Sequence, residues 1–150
     1  MKKISFILLF LSLNFVAFGQ NRANHFNVSK RIAIYGYDPV AYFTEKKAVK
    51  GKKEFAVNAD NVVYYCSSAK NQDLLIKNYK KYEPQYGGWC AYAMGKSAEK
   101  VEIDPSTFKI IDGKLYLFYN AYFTNTLTSW NKDETNLKNK ADKNWGKIFK

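Results

Sequence analysis

The sequence predicts an α+β fold: a single small domain in which antiparallel β-hairpins pack against helices. Two observations carry the hairpins and one the helices. Phe55 and Val57 are linked to Val62-Val63-Tyr64-Tyr65-Cys66 through the turn residues Asn58-Ala59-Asp60-Asn61, the pattern of a strand pair. Lys109-Ile110-Ile111 and Lys114-Leu115-Tyr116-Leu117-Phe118 flank Asp112-Gly113, the strong two-residue hairpin signal. Helical spacing then appears at Leu74, Leu75, Tyr79 and Tyr82, at Phe123, Leu127 and Trp130, and at Leu137, Ala141, Trp145 and Ile148. With 12 Tyr and 11 Phe the chain has the aromatic content of a packed body.

The elements follow in order. Met1-Lys2-Lys3 is a short basic start, residues 4–18 are almost wholly apolar, and Ala17 and Gly19 are small residues at the −3 and −1 positions of a cleavage site. Residues 1–19 therefore read as a signal peptide. The apolar run falls short of the roughly 20 residues of a membrane span, so no transmembrane anchor is expected, and export places the protein in the periplasm or secreted outside the cell. Residues 20–27 are polar and read as a flexible leader, which holds His25, the single histidine. The folded domain is expected over 28–150, enough chain for one core and too little for two.

Ile32, Ile34 and Tyr35 open that domain. Pro39 restricts Asp38 to extended backbone, and the Asp38 carboxylate can cap the turn after it. After the first hairpin, Ser67 or Ser68 caps a helix over about 69–82 that Pro84 stops. Gly87-Gly88 marks a tight bend or a close backbone approach. Residues 89–94 read as a short strand or one helical turn, and 101–104 as a strand ended by Pro105. The core is expected to include Phe55, Val63, Leu74, Leu75, Trp89, Ile111, Leu115 and Trp130.

Charge narrows the partners. The formal net charge is +11, but the lysines are scattered: Lys46, Lys47, Lys50, Lys52 and Lys53 form one group and Lys77, Lys80 and Lys81 another, each interrupted by glutamate or apolar residues. They read as solvated faces, and no nucleic acid is expected; an anionic cell-surface polymer or lipid is the polyanion the charge admits. Catalytic machinery is sparse. A cysteine–histidine couple would need His25 from the leader. Nothing in the sequence pairs Asp38, Glu83, Glu102, Asp104 or Asp112, and there is neither a phosphate loop nor a CxxC. An enzyme of unknown reaction is thus the third reading, with no catalytic residue assigned.

Cys66 and Cys90 carry what chemistry there is, and three readings stand. An oxidising compartment and an even count favour a disulfide, which would close a loop of about 25 residues and contribute roughly 3 kcal/mol on the chain-entropy model. Two buried inert thiols are the second reading. The third is a soft-metal site: Cys66 stands ahead of a predicted helix start, where a thiolate is favoured. Met94, four residues past Cys90, would then add a thioether if that segment is helical.

Four ordered blocks carry a resemblance. Gly36-Tyr37-Asp38-Pro39-Val40-Ala41-Tyr42-Phe43, Val63-Tyr64-Tyr65-Cys66-Ser67-Ser68, Tyr86-Gly87-Gly88-Trp89-Cys90-Ala91-Tyr92 and Ile111-Asp112-Gly113-Lys114-Leu115-Tyr116-Leu117 resemble the exported members of the YHS domain family, over about residues 34–145. The core YHS module, found in metal-transport ATPases and beside some oxygenases, begins Asp-Pro-Val-Cys-Gly-Met and carries a second cysteine after a Tyr-x-Phe strand; the resemblance implies metal-binding cysteines. Here Asp38-Pro39-Val40 matches, Ala41-Tyr42-Phe43 stands where Cys-Gly-Met would, and Cys66 fits the second cysteine. Cys90 belongs to the longer exported subgroup and is the residue that would replace the missing ligand.

The leading expectation is a small exported binding protein that holds copper or a related soft metal through Cys66 and Cys90, with Met94 as a third ligand. The alternative is a structural or interaction module. Its aromatic surface, drawn from Tyr37, Tyr42, Tyr86, Trp89 and Tyr92, would hold a protein or cell-surface polymer, or line a pocket for a small apolar ligand.

Overall fold

The first sheet is assembled from four short strands: β1 (Val28–Ser29), β2 (Ile32–Ala33), β3 (Ala56–Ala59) and β4 (Val62–Tyr65), in the order β1-β2-β4-β3. They belong to a computed structural model that describes residues 22–149; the signal peptide expected over residues 1–19 lies outside the described residues. β3 and β4 form the expected hairpin, with Ala59 opposite Val62 and Ala56 opposite Tyr65. Its register sends Val57, Ala59, Val62 and Tyr64 into the core. Val63, expected inside, is half-buried on the other face, because a one-residue phase decides which face a strand residue takes. β2 runs parallel to β4, with Ile32 beside Val63.

A short helix α1 (Ala41–Thr44) follows the Asp38-Pro39 turn. The helix expected over 69–82 is two: α2 (Ala69–Lys77) and α3 (Tyr79–Tyr82). Asn78 breaks it, at φ −159° and ψ 76°, and its side chain caps α3 by accepting from the Lys81 amide. Ser68 caps α2 by accepting from the Asn71 amide. Residues 89–94, open between strand and turn, lead into helix α4 (Ala91–Ser97).

The second sheet pairs β5 (Asp104–Ile111) with β6 (Lys114–Phe118) around the expected Asp112-Gly113 turn. The strand read over 101–104 instead begins at Asp104 and continues through Pro105. Its pairing shifts register between Asp104 and Phe108, an irregularity that spares Pro105 the ladder bond it has no amide to make. A third hairpin, β7 (Asn120–Ala121) with β8 (Thr124–Asn125), precedes helices α5 (Thr126–Asn131) and α6 (Glu134–Ile148). Phe123, expected on the first tail helix, lies at the tip of this hairpin; the helix starts later because Asn125 caps it at the Leu127 amide.

Two core clusters share Tyr92 and Trp145 at their margins. The first holds Val40, Tyr42, Tyr64, Cys66, Leu75, Cys90 and Leu115; the second holds Met94, Tyr116, Phe118, Trp130 and Ala141. Of the expected core, Leu75, Leu115 and Trp130 are fully buried. Phe55 and Leu74 pack half-buried on the first cluster, and Trp89 and Ile111 on the second. Residues 22–27 depart from the flexible leader that was expected. Arg22–Asn24 is a 3-10 turn, Phe26 and Asn27 are buried, and the Asn27 amide donates to the Gly87 carbonyl at 2.8 Å. Phe26 meets Trp145 and Phe149 edge-on, so one apolar side chain in a polar stretch ties this segment to α6.

Many core aromatics are tyrosines, which sets a pH dependence. Burial above all raises the pKa of Tyr42, Tyr64, Tyr86 and Tyr116 above the usual 10.0, and burial and then the Asp38 carboxylate push the Cys66 thiol from 9.0 up to about 12. The unfolded chain releases these protons near 9 and 10 while the folded chain keeps them, so stability is fully present below the unfolded values and falls as pH rises through the gap. Each such group removes about 1.4 kcal/mol per pH unit there. The urea midpoint should be level between about pH 7 and 8.5 and drop steeply above about pH 9.5. A midpoint unchanged at pH 11 would show these phenols to be solvated.

Candidate functional site

The structure places the sequence-predicted site residues in the interior. Cys66, just past β4, and Cys90, just before α4, are both buried free thiols, so the disulfide reading is not realised. On the soft-metal reading alone, Cys66 was expected to be a stabilised thiolate at a helix start. Its thiol is instead held protonated, since burial and Asp38 both penalise the anion and outweigh the dipole of α2. Cys90 Sγ accepts from the Tyr119 amide and lies beside Thr126 Oγ1, each at 3.4 Å. Met94 stands one helical turn past Cys90, its amide donating to the Cys90 carbonyl at 3.0 Å, and its side chain packs in the second cluster with Tyr116 and Trp130.

Asp38 explains the local order. Its carboxylate is fully buried. Oδ1 accepts from the amides of Val40 (2.8 Å) and Ala41 (3.3 Å). Oδ2 accepts from the amide and hydroxyl of Ser67 and from Asn71 Nδ2, each at 2.7 Å. Five donors exceed the four or so lone-pair sites of a carboxylate, so Asp38 has nothing left for a cation. Copper binding needs accessible thiolate or thioether groups. Cys66 is a buried thiol beside a saturated carboxylate, and Cys90 Sγ is already engaged by the Tyr119 amide and Thr126. Among the described residues no three Cys, His, Asp or Glu side chains stand together as a ligand set.

The expected aromatic surface is likewise core. Tyr42 and Tyr86 are buried and Tyr37, Trp89 and Tyr92 are half-buried. Their polar tips are satisfied from within: Tyr42 donates to the Pro105 carbonyl, Tyr86 to Asp142 and Trp89 Nε1 to the His25 carbonyl, which is what lets amphipathic rings go inside.

Among the clefts of the fold, one lies at the first sheet. It is about 480 Å³ and opens between the β1–β2 turn, residues 34–36 and the loop at 50–53, within the size range of small-molecule sites. Ile32 and Tyr65 form its apolar floor, Tyr35 a wall, and Lys30, Lys50 and Lys53 its rim; among the described residues no carboxylate lines it. The backbone around it is unusual. Lys30 and Arg31 have φ of 50° and 71°, and Ile34, Tyr35 and Gly36 follow at 51°, 49° and 76°. Positive φ in a β-branched residue such as Ile34 is a genuine outlier, and each such residue costs on the order of 1–3 kcal/mol.

The surroundings hold this conformation in place. The Tyr37 amide donates back to the Ile34 carbonyl and the Gly51 amide to the Gly36 carbonyl, both at 2.9 Å, while Lys50 Nζ donates to the Tyr35 carbonyl at 2.5 Å. Lys50 also stands 4.5 Å from the centre of the Tyr37 ring. Tyr35 donates its hydroxyl to Glu102, and burial together with that carboxylate pushes its pKa up to about 12. Gly51 is required by space: a Cβ there would stand 2.2 Å from the Tyr65 carbonyl oxygen. Two of the rim lysines were read in the sequence as part of a solvated face. Gly36 and Gly51 were the readable sign that backbones meet here.

Comparison of the chain with family models, with curated proteins and with solved structures gives no match. No helix among the described residues is long and apolar enough to cross a membrane.

Proposed function

We propose that this chain is a small exported binding protein that takes an anionic ligand with a flat apolar body in the cleft between the β1–β2 turn, Tyr35 and Lys50–Lys53. The observation that carries the reading is the strained Ile34-Tyr35-Gly36 run. Left-handed backbone is retained where the surroundings over-determine it, and such sites cluster at ligand clamps. Here the run holds Tyr35 against the mouth and its carbonyl against Lys50. Three ammonium groups supply charge, and Ile32 and Tyr65 supply an apolar floor. The signal peptide in the sequence supports a periplasmic or secreted location, and the resemblance to exported YHS domain proteins supports binding over catalysis.

Titration with 1-anilinonaphthalene-8-sulfonate, which joins an anion to a flat apolar body, tests this. Lys50→Ala/Lys53→Ala should weaken binding about tenfold, two exposed cation contacts each being worth up to about 1 kcal/mol, and added salt should act in the same direction. Naphthalene and inorganic phosphate, each lacking one half of the probe, should bind more weakly. Equal affinity in a folded double variant would remove the cleft as the site.

A further inference from the structure

Four of the described hairpins turn on two residues that both have positive φ: Lys30-Arg31, Asp60-Asn61, Asp112-Gly113 and Tyr122-Phe123. Hairpin turns of this kind favour Asn, Asp and Gly, which tolerate left-handed backbone. Asp60-Asn61 and Asp112-Gly113 follow that chemistry. Lys30-Arg31 departs from it at the rim of the proposed cleft. Tyr122-Phe123 departs furthest, with two large aromatic residues at φ 48° and 62°.

Nothing among the described residues covers these rings. Tyr122 is 89% and Phe123 112% exposed, whereas the other exposed large apolar residues among those described are Tyr35 and Ile76. The base beneath them is well anchored. Thr126 donates its amide and its hydroxyl to the Tyr119 carbonyl at 3.0 and 2.9 Å, and Asn120 Nδ2 donates to Thr107 Oγ1 at 3.0 Å. The Tyr119 amide rests on Cys90 Sγ. Two aromatic side chains are thus held outward on a firm hairpin, in a turn whose backbone disfavours them.

We infer that the Tyr122-Phe123 tip is a membrane-contacting finger that inserts into the interface of an anionic phospholipid bilayer. Shape and charge select this occupant. A stable protein interface needs about 800 Å² from each partner, and two side chains of roughly 150–250 Å² each fall short of it. A bilayer interface accepts single aromatic side chains, and tyrosine suits the headgroup level because its ring is apolar and its hydroxyl is not. The full chain carries a net charge of +11, and loss of Lys2 and Lys3 with the signal peptide leaves the exported protein at +9. On the elements that directly follow the finger, Lys132, Lys140, Lys143 and Lys147 are exposed, and lysines near an anionic surface add attraction.

The test is co-sedimentation of the exported protein with vesicles of phosphatidylglycerol and phosphatidylcholine, and with phosphatidylcholine alone. The wild type should bind the anionic vesicles preferentially and release at high salt. Tyr122→Asn/Phe123→Gly supplies the favoured turn residues, so it should raise the thermal midpoint while lowering the partition about tenfold or more. Phe123→Leu, which keeps an apolar tip, should retain most of the binding. The proposal is overturned if the wild type ignores anionic vesicles, or if the double variant binds them equally well. It is also overturned if the wild type self-associates and the double variant does not, which would assign the tip to a second copy of the chain.

Discussion

Replacing Asp38 with asparagine should destabilise the fold by about 3 kcal/mol or more. The carboxylate is an acceptor on both oxygens, and five protein donors converge on it from two segments, the turn into α1 and the start of α2. An amide of the same shape must turn its NH2 toward one side. Facing Ser67 and Asn71, it opposes three donors; facing Val40 and Ala41, it opposes two backbone amides. Either orientation leaves buried N–H groups unpaired, and hydrogen bonds to a charged acceptor are the costly ones to lose. Urea unfolding at neutral pH measures the loss. Ser67→Ala should cost less, because it removes only the hydroxyl donor and leaves the Ser67 amide in place. A cost below about 1 kcal/mol for Asp38→Asn would mean that the carboxylate does not organise this junction.

Gly51→Ala should destabilise by about 3 kcal/mol and impair the cleft together with the fold. The added Cβ would lie 2.2 Å from the Tyr65 carbonyl oxygen, 2.5 Å from its carbon and 2.6 Å from Tyr65 Cβ. The first two are backbone atoms at the end of β4, so no side chain can swing aside; strand or loop must shift. The shift would stretch the bonds that close the site, Gly51 to the Gly36 carbonyl at 2.9 Å and Lys52 to the Cys66 carbonyl at 2.8 Å. Dye binding in the cleft should therefore fall even at temperatures where the variant is folded. A variant with wild-type stability and wild-type binding would show that the approach of these two backbones is not required.

The two predictions bear on the resemblance to YHS domains in different ways. Asp38-Pro39-Val40 is the part of the first block that carries the resemblance, and here Asp38 joins the turn into α1 to the start of α2. The cysteine of the second block, Cys66, has its thiol pKa pushed up by burial first and by the Asp38 of that junction second. The exposed chemistry, three lysines and Tyr35 around an apolar floor, comes from residues that none of the family's metal-binding positions would mark.

The sequence alone determined the elements whose causes are local. Asp112-Gly113 and Asp60-Asn61 specify hairpins because those residues accept positive φ wherever they stand. The Leu137, Ala141, Trp145 and Ile148 spacing specifies α6, and the α+β class follows from such elements together. Only the tertiary structure decided what depends on meetings between distant segments. Asn78 is compatible with a continuous helix and with a cap; in the structure it is the cap, and Tyr82 at the end of α3 is buried. Phe26 turned a polar stretch into part of the body because Trp145 and Phe149, more than a hundred residues away, offered it a partner. Cys66 sits next to a helix start, a place that lowers a thiol's pKa in isolation; burial and Asp38 reversed the sign. The cleft draws its lining from residues 29–36, 50–53 and 65, so no single stretch of sequence contains it. Local propensity is written residue by residue, whereas burial, strain and a shared cavity exist only once those stretches share one volume.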